Sequence, residues 1–308
     1  MRIVFFGTPE FAVPTLDAVA ATHEVVRVVA QPDKPAGRGM RMQPPAIAVR
    51  ARDLGLNLVQ PPKILTPEFL EMVMQLHPDV GVVIAYGKIL AASLLAIPRY
   101  GFINVHASIL PKYRGAAPIQ RAIEAGEAET GVTIMRIDEE LDHGPMLASA
   151  KTEIGHDERT PSLSKRLAQL GAATLLPALD ATATGAAVET AQDHARATLA
   201  RKIEKQEGAI HWSDSASTIY NRFRAFDPWP GVFFTVSSET VKATNMASGE
   251  NAGGAAPGTI LRAELPGVLI ATGNGAIRVI ELQRAGKPRA AAADVLRGLG
   301  LRAGDRLG

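Results

Sequence analysis

An amide, an imidazole and a hydroxyl stand at alternate positions where one hydrophobic run of the chain ends. They belong to Asn104, His106 and Ser108, and their apolar neighbours are Ile103 and Val105. In an extended strand, alternate residues project from one face, so the polar groups can point together while the apolar residues pack behind them. The Pro-Lys-Tyr-Arg-Gly run that follows soon after predicts a turn. This arrangement is typical of a reactive pocket.

A second loop supplies an acid for the imidazole. Asp142 lies in the run Leu-Asp-His-Gly-Pro, which follows a predicted strand ending near Ile137. Open α/β sheets bind ligands at the carboxyl edge of their strands, where we expect this loop to meet His106. An acid that orients an imidazole beside an amide suits acyl-group transfer, because the histidine moves a proton and the amide stabilises an oxyanion. Spacing alone fits a structural hydrogen-bond network equally well.

The sequence disfavours several other kinds of site. Gly7-Thr8-Pro9 after the first strand lacks the GxGxxG spacing of a dinucleotide site, so neither NAD nor FAD is expected. Ser108 lacks the GxSxG elbow that exposes the nucleophile of a serine hydrolase. The chain has no cysteine, and its seven histidines lack the i, i+4 spacing of a helical metal site. We therefore expect neither thiolate chemistry nor a metal.

Composition indicates a globular protein large enough for two domains. The chain has 308 residues, of which 46% are hydrophobic, and a formal net charge of +2. This small charge argues against nucleic-acid binding over the whole surface, so any such partner must meet local patches. No apolar stretch reaches the roughly 18 to 20 residues that cross a bilayer. The N-terminus reads as a strand and not as a signal peptide, so we expect a cytoplasmic protein.

The first part of the chain predicts an α/β fold. Short β-rich runs alternate with helical periodicity, which is typical of a Rossmann-like, mostly parallel sheet flanked by helices. Strands are expected over 2–6, 25–30, 80–85, 101–106 and 130–137, and helices over 10–21, 45–53, 67–76, 117–125 and 161–183.

The C-terminal part predicts a different, β-rich domain. Strands are expected over 232–236, 259–261, 267–272 and 276–283, and helices over 217–226 and 291–299. Gly273-Asn274-Gly275 predicts a hairpin turn between the last two strands. This spacing favours a small OB-like β-barrel. We expect an N-terminal catalytic domain at 1–191, a basic linker at 192–208 and a C-terminal domain at 209–308.

Two basic segments have the charge to hold a phosphate backbone. The first contains no acid, and its two glycines, Gly37 and Gly39, lead us to expect a flexible loop. It has five cations: Lys34, Arg38, Arg41, Arg50 and Arg52. The second lies in the predicted linker: Arg196, Arg201, Lys202 and Lys205. A run of charges is most often only a solvated surface, so either segment alone is weak evidence for a nucleic-acid partner.

Together these motifs closely resemble the methionyl-tRNA formyltransferase family. The matching strings occur in the same order and cover nearly the whole chain, at 5–11, 35–39, 85–90, 104–120, 141–144 and 224–231. The Asn-x-His and Ser-x-Leu-Pro block and the Leu-Asp-x-Gly motif identify the wider group of folate-dependent formyltransferases. The basic loop, the Ala-Phe-x-Pro-Trp-Pro motif and the second domain narrow the resemblance to this family.

The resemblance implies a formyltransferase fold and an activity. The activity is transfer of a formyl group from 10-formyltetrahydrofolate to the α-amino group of methionine on initiator tRNA, which produces N-formylmethionyl-tRNA for translation initiation. Asn104, His106 and Asp142 match the family's catalytic trio. Asn104 and protonated His106 would stabilise the oxyanion, and Asp142 would hold the imidazole and help proton transfer.

The resemblance also implies binding residues. The folate-binding segments of the family correspond to Ser108, Ile109, Leu110, Pro111, Ala85, Tyr86, Gly87, Ile89 and Leu90. The residues expected to contact tRNA lie in the basic loop and the linker: Arg38, Arg41, Arg201, Lys202 and Lys205. No membrane or metal is implied, and a monomer suffices.

One loop departs from the family, and rival functions stay open. His143 and Pro145 stand where the family commonly has a threonine and a second aspartate, which puts the loop geometry in doubt. A formyltransferase acting on an amino sugar nucleotide would share both domains without needing the basic loop. A glycinamide ribonucleotide formyltransferase usually lacks the second domain. A non-catalytic RNA-binding protein would have no use for the trio.

Overall fold

The structure is a computed structural model that describes residues 1–36, 41–249 and 251–307. Its α-helices are α1 Val13–Thr22, α2 Ala46–Asp53, α3 Pro67–Gln75, α4 Ala92–Leu95, α5 Pro118–Glu124, α6 Thr160–Thr184, α7 Ala216–Ala225 and α8 Ala292–Gly298. Short 3-10 helices cover Glu10–Ala12, His194–Arg196 and Lys205–Gly208. No helix in this part of the chain is both long and apolar enough to cross a membrane.

The strands follow one another along the chain as β1 Arg2–Gly7, β2 Glu24–Val29, β3 Lys34–Ala36, β4 Arg41–Gln43, β5 Leu58–Val59, β6 Val80–Ile84, β7 Phe102–His106, β8 Arg114–Gly115, β9 Glu129–Arg136, β10 Met146–Glu153, β11 Leu199–Ala200, β12 Val232–Val236, β13 Glu239–Ala247, β14 Ile260–Glu264, β15 Gly267–Ala271, β16 Ala276–Arg284 and β17 Arg289–Ala291. Strands β1, β2, β6, β7, β9, β12, β14, β15 and β16 agree with the predicted strands to within a few residues. The remaining strands were not predicted: β3, β4, β5, β8, β10, β11, β13 and β17.

The chain divides into two compact units. The first comprises Met1–Pro118, Glu129–Glu153 and Ser162–Arg201. The second comprises Ile119–Ala128, Ile154–Pro161 and Lys202–Gly308. The domain limits inferred from the sequence, after residue 191 and before residue 209, stay predictions.

The main sheet of the first unit has the strand order β10-β9-β7-β6-β1-β2-β5. Strands β7, β6, β1, β2 and β5 are parallel to one another, whereas β9 pairs antiparallel with both β7 and β10. The predicted mostly parallel α/β sheet is confirmed. The central strand β6, Val-Gly-Val-Val-Ile, is buried throughout, as expected when helices cover both faces of a parallel sheet.

Alternation along the strands separates two apolar clusters, one on each face of this sheet. In β1, Ile3 and Phe5 belong to one cluster, and Val4 and Phe6 belong to the other. Strand β7 alternates in the same way, with Ile103 and Val105 in the first cluster and Phe102 in the second. Residues 104 and 106 therefore share the face of residue 102. Apolar packing of the odd-numbered residues fixes which way the polar residues point.

The second unit contains an antiparallel sheet with the order β12-β13-β16-β15-β14, and β17 pairs with β16. The predicted C-terminal antiparallel β structure is confirmed, and Gly273–Gly275 joins β15 to β16. Strand β13, Glu-Thr-Val-Lys-Ala-Thr-Asn-Met-Ala, escaped prediction because polar residues occupy many of its positions. It is ordered by pairing with β12 and β16. Closure of this sheet into a barrel stays a prediction.

Glycine at position 81 is required by the packing of β6 against β7. A Cβ atom at this position would overlap ring carbons of Phe102. Phe102 is 1% exposed, and its ring centroid lies 5.5 Å from that of Phe6, so the ring has little room to move. We predict that Gly81→Ala lowers the free energy of unfolding by about 1–3 kcal/mol, because overpacking forces displaced side chains. Chemical denaturation measures the change.

Two further variants test this explanation. In Gly81→Ala/Phe102→Leu the smaller leucine side chain makes room for the added Cβ atom. The double variant should therefore lose less free energy of unfolding than the sum of the losses in the two single variants. Gly298→Ala is the control, because a Cβ there meets no atom within 4 Å and alanine suits the helix α8. A Gly81→Ala protein as stable as the original would contradict the packing argument.

Candidate active site

His106 lies at the end of β7 with one ring nitrogen already engaged. The side chain is buried, and its Nε2 lies 2.9 Å from the backbone carbonyl oxygen of Tyr113. A carbonyl oxygen only accepts hydrogen bonds, so Nε2 donates and must carry a proton. The nitrogen that can gain or lose a proton in a reaction is therefore Nδ1.

Asp142 is the group that faces Nδ1. Its Oδ2 lies 3.6 Å from His106 Nδ1 and accepts a hydrogen bond of 2.8 Å from the backbone N–H of Gly115. The carboxylate is 14% exposed, and Asp142 has a φ of 48°, in the left-handed region. Aspartate tolerates this region better than most residues. The structure thus brings together two of the three residues of the predicted trio.

The path of the Asp142 loop differs from the one expected. Strand β9 is antiparallel to β7, with Arg136 opposite Ile103 and Thr133 opposite His106. The loop after β9 therefore starts beside the first residues of β7, at the opposite edge of the sheet from His106. It runs back along β7 by about 10 Å, the rise of three strand residues, to place Asp142 at His106. The expectation of a shared strand edge was wrong, because it took β9 to be parallel.

Asn104 shares a face of β7 with His106. It is half-buried, and within the part of the chain that the structure describes no group forms a hydrogen bond with its side-chain amide. Its backbone is held on both sides, opposite Val83 of β6 and Met135 of β9. A fixed backbone with an uncommitted amide two residues from the imidazole suits a donor to a developing negative charge.

The turn after His106 is built by buried hydrogen bonds. Ser108 is fully buried, and its hydroxyl donates to the carbonyl of Lys112 at 2.6 Å. Thr133 donates to the carbonyl of Ser108 at 2.7 Å and accepts from the N–H of Leu110 at 3.1 Å. Ser108 and Leu110 therefore shape the turn from within, whereas Ile109 and Pro111 are partly exposed. Folate contact by these four residues stays a prediction.

The segment after β6 alternates between exposed and buried residues. Ala85, Gly87 and Ile89 are exposed, and Ile89 is 85% exposed. Tyr86 and Leu90 are buried, and the Tyr86 ring stands edge-on to Phe6 with 5.2 Å between centroids. Burial raises the pKa of the Tyr86 hydroxyl to about 12. The exposed set can contact a ligand through its surface, while the buried pair anchors the segment.

This segment has an unusual backbone at the carboxyl edge of the parallel strands. Ala85 has a φ of 46° and Gly87 a φ of 79°. A non-glycine residue in this region is strained by about 1–2 kcal/mol, and such strain gathers at ligand sites. The Tyr86 carbonyl accepts hydrogen bonds from Thr8 at 3.2 Å and from Gln31 at 3.0 Å. Side chains that follow β1 and β2 thus hold the strained segment in place.

The predicted tRNA-binding residues fall in three places. Strands β3 and β4 form a hairpin ribbon in which Lys34 is opposite Gln43, and Arg41 is exposed on it. Arg38 lies outside the described residues. Arg201 is exposed at the end of the first unit, and Lys202 and Lys205 are exposed in the second.

Two buried polar residues beside the Asp142 loop were not predicted to belong to the site. Arg114 and Gln192 are 8% and 4% exposed and hydrogen-bond each other. Neither belongs to a recognisable catalytic spacing, and their partners are distant in sequence. No cluster of three or more His, Asp or Glu side chains suited to a metal occurs within residues 1–36, 41–249 and 251–307.

Comparison with family models identifies both parts of the chain. Residues 1–179 match the model described as Formyl transferase. Residues 202–300 match the model described as Formyl transferase, C-terminal domain.

Curated relatives are similar over their full length. A methionyl-tRNA formyltransferase of Sorangium cellulosum is 44% identical over 310 residues, which cover 100% of this chain and 100% of the relative. One of Methylococcus capsulatus is 46% identical over 309 residues, with the same coverage. One of Thermus thermophilus is 44% identical over 308 residues and covers 100% of this chain and 99% of its own.

Solved structures share the fold at low identity. An N-formyltransferase from Helicobacter canadensis in complex with folinic acid and dTDP-3-aminofucose aligns with a TM-score of 0.68 at 17% identity, over 92% of this chain and 99% of its own. HypX from Aquifex aeolicus in complex with tetrahydrofolic acid aligns with a TM-score of 0.63 at 20% identity, over 96% of this chain and 47% of its own. These likenesses concern the fold alone.

Proposed function

The chain belongs to the methionyl-tRNA formyltransferase family, and on that premise we propose that it formylates the α-amino group of methionine on initiator tRNA. The donor is 10-formyltetrahydrofolate, and the product is N-formylmethionyl-tRNA for translation initiation. The observation that carries this proposal is the full-length identity of 44–46% with relatives of that name. The geometry around His106 supplies the chemistry.

The residues of the first unit fit a folate. The donor supplies one formyl group, whose carbon is attacked by the methionine nitrogen and whose bond to N10 then breaks. Ile89 offers an exposed apolar side chain, and Ala85 and Gly87 offer exposed backbone, as a flat ring system with polar edges requires. Ile109 and Pro111, partly exposed on the turn after His106, would line the same ligand.

Asn104, His106 and Asp142 divide the catalytic work. The Asn104 amide donates to the formyl oxygen as negative charge develops on it. His106 Nδ1 accepts a proton from the attacking amine, because Nε2 is committed to the Tyr113 carbonyl. The resulting imidazolium adds a positive charge near that oxygen, and Asp142 at 3.6 Å stabilises the imidazolium.

The proton count balances along this route. One bond forms between the methionine nitrogen and the formyl carbon, and one bond breaks between that carbon and N10. The amine loses one proton, which His106 holds at Nδ1 and returns to N10 as the leaving group departs. Neither an oxidant nor a metal enters the balance. Support for these roles comes from the hydrogen bond that commits Nε2 to the Tyr113 carbonyl and from the Asp142 carboxylate 3.6 Å from Nδ1.

Interactions with tRNA are proposed for the basic residues. Arg38, Arg41, Arg201, Lys202 and Lys205 would contact phosphates. We also propose that residues 1–191 form the catalytic domain, 192–208 a basic linker and 209–308 a tRNA-binding domain. Support comes from the two family models, which leave residues 180–201 between them. The enzyme is proposed to act as a cytoplasmic monomer.

The assay that tests the proposed substrate uses 10-formyltetrahydrofolate with three acceptors. These are methionyl initiator tRNA, methionyl elongator tRNA and an amino sugar nucleotide. Rapid formylation of the first, with slow formylation of the other two, is the expected result. Preferential formylation of the amino sugar nucleotide would assign the chain to the rival substrate class, and binding of tRNA without any transfer would indicate a non-catalytic protein.

Replacement of the His106 imidazole should remove formyl transfer and leave tRNA binding intact. We predict that His106→Ala lowers kcat about 10²–10⁴-fold, because the proton carrier is lost. Its Kd for methionyl-tRNA should stay close to that of the original, measured by filter binding. His156→Ala, which removes a largely exposed imidazole elsewhere, is the control. Normal turnover in His106→Ala would remove this residue from the mechanism.

Neutralising Arg38 and Arg41 should weaken the electrostatic part of tRNA binding. We predict that Arg38→Gln/Arg41→Gln raises the KM for methionyl-tRNA and makes the slope of log(kcat/KM) against log salt about 1–2 less steep. Kinetics at several salt concentrations measure this slope. The matched control is Lys151→Gln/Lys165→Gln, which removes two exposed cations from β10 and α6. Equal slopes for both double variants would show that Arg38 and Arg41 have no special role in tRNA binding.

A further inference from the structure

One buried amide holds the backbone on both sides of His143. Gln192 is 4% exposed, and its Nε2 donates to the carbonyl of Asp142 at 2.9 Å and to the carbonyl of Gly144 at 2.8 Å. Both N–H groups of the amide are therefore used, and both bind the loop that carries the predicted catalytic carboxylate. Residue 192 comes 50 positions after Asp142 in the chain.

Arg114 fixes the orientation of that amide. Its Nε and Nη2 lie 3.1 Å and 2.6 Å from Gln192 Oε1. A guanidinium only donates hydrogen bonds, so the amide oxygen must face Arg114 and the amide nitrogen must face the loop. The opposite orientation would set two donors against Arg114 and an oxygen against two carbonyls. The assignment of Gln192 Oε1 and Nε2 to their positions thus follows from the donors and acceptors that surround them.

The same segment also supports the loop residue that departs from the family pattern. His194 accepts a hydrogen bond at Nδ1 from Arg114 Nη2 at 2.8 Å. Its ring stacks on that of His143, with 4.0 Å between centroids and 5° between planes. His143 Nδ1 in turn lies 2.7 Å from Asp138 Oδ2. Position 143 is therefore occupied by a ring that packs on the chain 192–194.

The loop needs such support because of its path and its backbone. It must run back along β7 to reach His106, and Asp142 adopts a left-handed φ that costs about 1 kcal/mol or more. The Gly144 backbone lies so close to the carbonyl of Arg136 that a Cβ there would overlap it. The plane of each peptide around Asp142 decides where its carboxylate points. The hydrogen bond to the Asp142 carbonyl sets the plane of the peptide between residues 142 and 143, and the hydrogen bond to the Gly144 carbonyl fixes the backbone two residues further along the loop.

We propose that Gln192, oriented by Arg114, is a positioning residue that holds the Asp142 carboxylate at His106. This inference rests on the proposed function, because it assigns a role within the same formyl transfer. Gln192 itself is not proposed to contact either substrate, since the oxygen and both N–H groups of its amide already hydrogen-bond to protein groups. The segment at 192–194, expected from the sequence to be part of a linker, thereby completes the active site.

Gln192→Glu tests the proposal with little change of shape. The carboxylate keeps an acceptor for Arg114 but sets lone pairs against the carbonyls of Asp142 and Gly144. We expect kcat to fall about 10- to 100-fold through misplacement of the carboxylate. The KM values for both substrates should change less than about threefold, since the binding surfaces are untouched. Gln75→Glu, the same substitution at an exposed position of α3, should match the original enzyme.

A second background shows whether Gln192 acts through Asp142. In Asp142→Asn, the further change Gln192→Glu should lower the single-turnover rate less than about twofold, because the carboxylate it positions is gone. If the single-turnover rate of the double variant falls by the product of the two single-variant effects, the proposal is overturned. A kcat of Gln192→Glu equal to that of the original enzyme would also overturn it. Should Gln192→Glu fail to fold, Gln192→Met, neutral and similar in length, is expected to show the same fall in kcat and the same non-additivity.

Hydrogen exchange separates this inference from the proposed function. The Gly115 amide donates to Asp142 Oδ2, so its exchange reports the position of the carboxylate without any substrate. We expect it to exchange at least about 10-fold faster in Gln192→Glu and unchanged in Gln75→Glu. Unchanged protection in Gln192→Glu would refute the positioning role. Failure of the proposed function would instead appear as an original enzyme inactive on methionyl-tRNA, and the exchange result would still decide the inference.

Discussion

The site depends on one carboxylate oxygen that is shared between a backbone amide and an imidazole. Asp142 Oδ2 lies 2.8 Å from the Gly115 nitrogen and 3.6 Å from His106 Nδ1. The hydrogen bond from the Gly115 N–H fixes the Asp142 carboxylate. The carboxylate can then stabilise a protonated His106 ring, which would otherwise be costly to bury. The turn after His106 and the loop after β9 meet at this oxygen, and the segment at 192–194 holds the backbone of that loop. Each comes from a different part of the chain.

The sheet supplies the rigid frame for that convergence. Parallel pairing of β6 and β7 fixes Asn104 beside the segment that follows β6, and apolar residues on the other face of β7 prevent it from turning over. The antiparallel strand β9 then delivers the Asp142 loop from the far end of β7. A loop that must travel back along a strand needs support along its length, which the buried pair Arg114 and Gln192 provides.

Local patterns in the sequence predicted most of the frame and drew attention to the three residues that are proposed as catalytic. Apolar alternation located β1, β2, β6, β7 and β9, and the i, i+2 spacing placed Asn104 and His106 on one face. The direction of β9 relative to β7 could not be read, because strand pairing is a long-range property. Gln192 was missed for the same reason: its partners lie 50 and 78 positions away, and no local spacing marks it. The closeness of Asp142 to His106 was expected, but by a different path.

The most direct measurement is a double-mutant cycle on the two residues that share the contact. Single-turnover rates of formyl transfer would be measured for His106→Asn, Asp142→Asn and the double variant. If the carboxylate acts by stabilising the imidazolium, the double variant should be no slower than His106→Asn alone, because residues that act as a unit are strongly non-additive. Losses that multiply would show that Asp142 and His106 act independently, which contradicts the account.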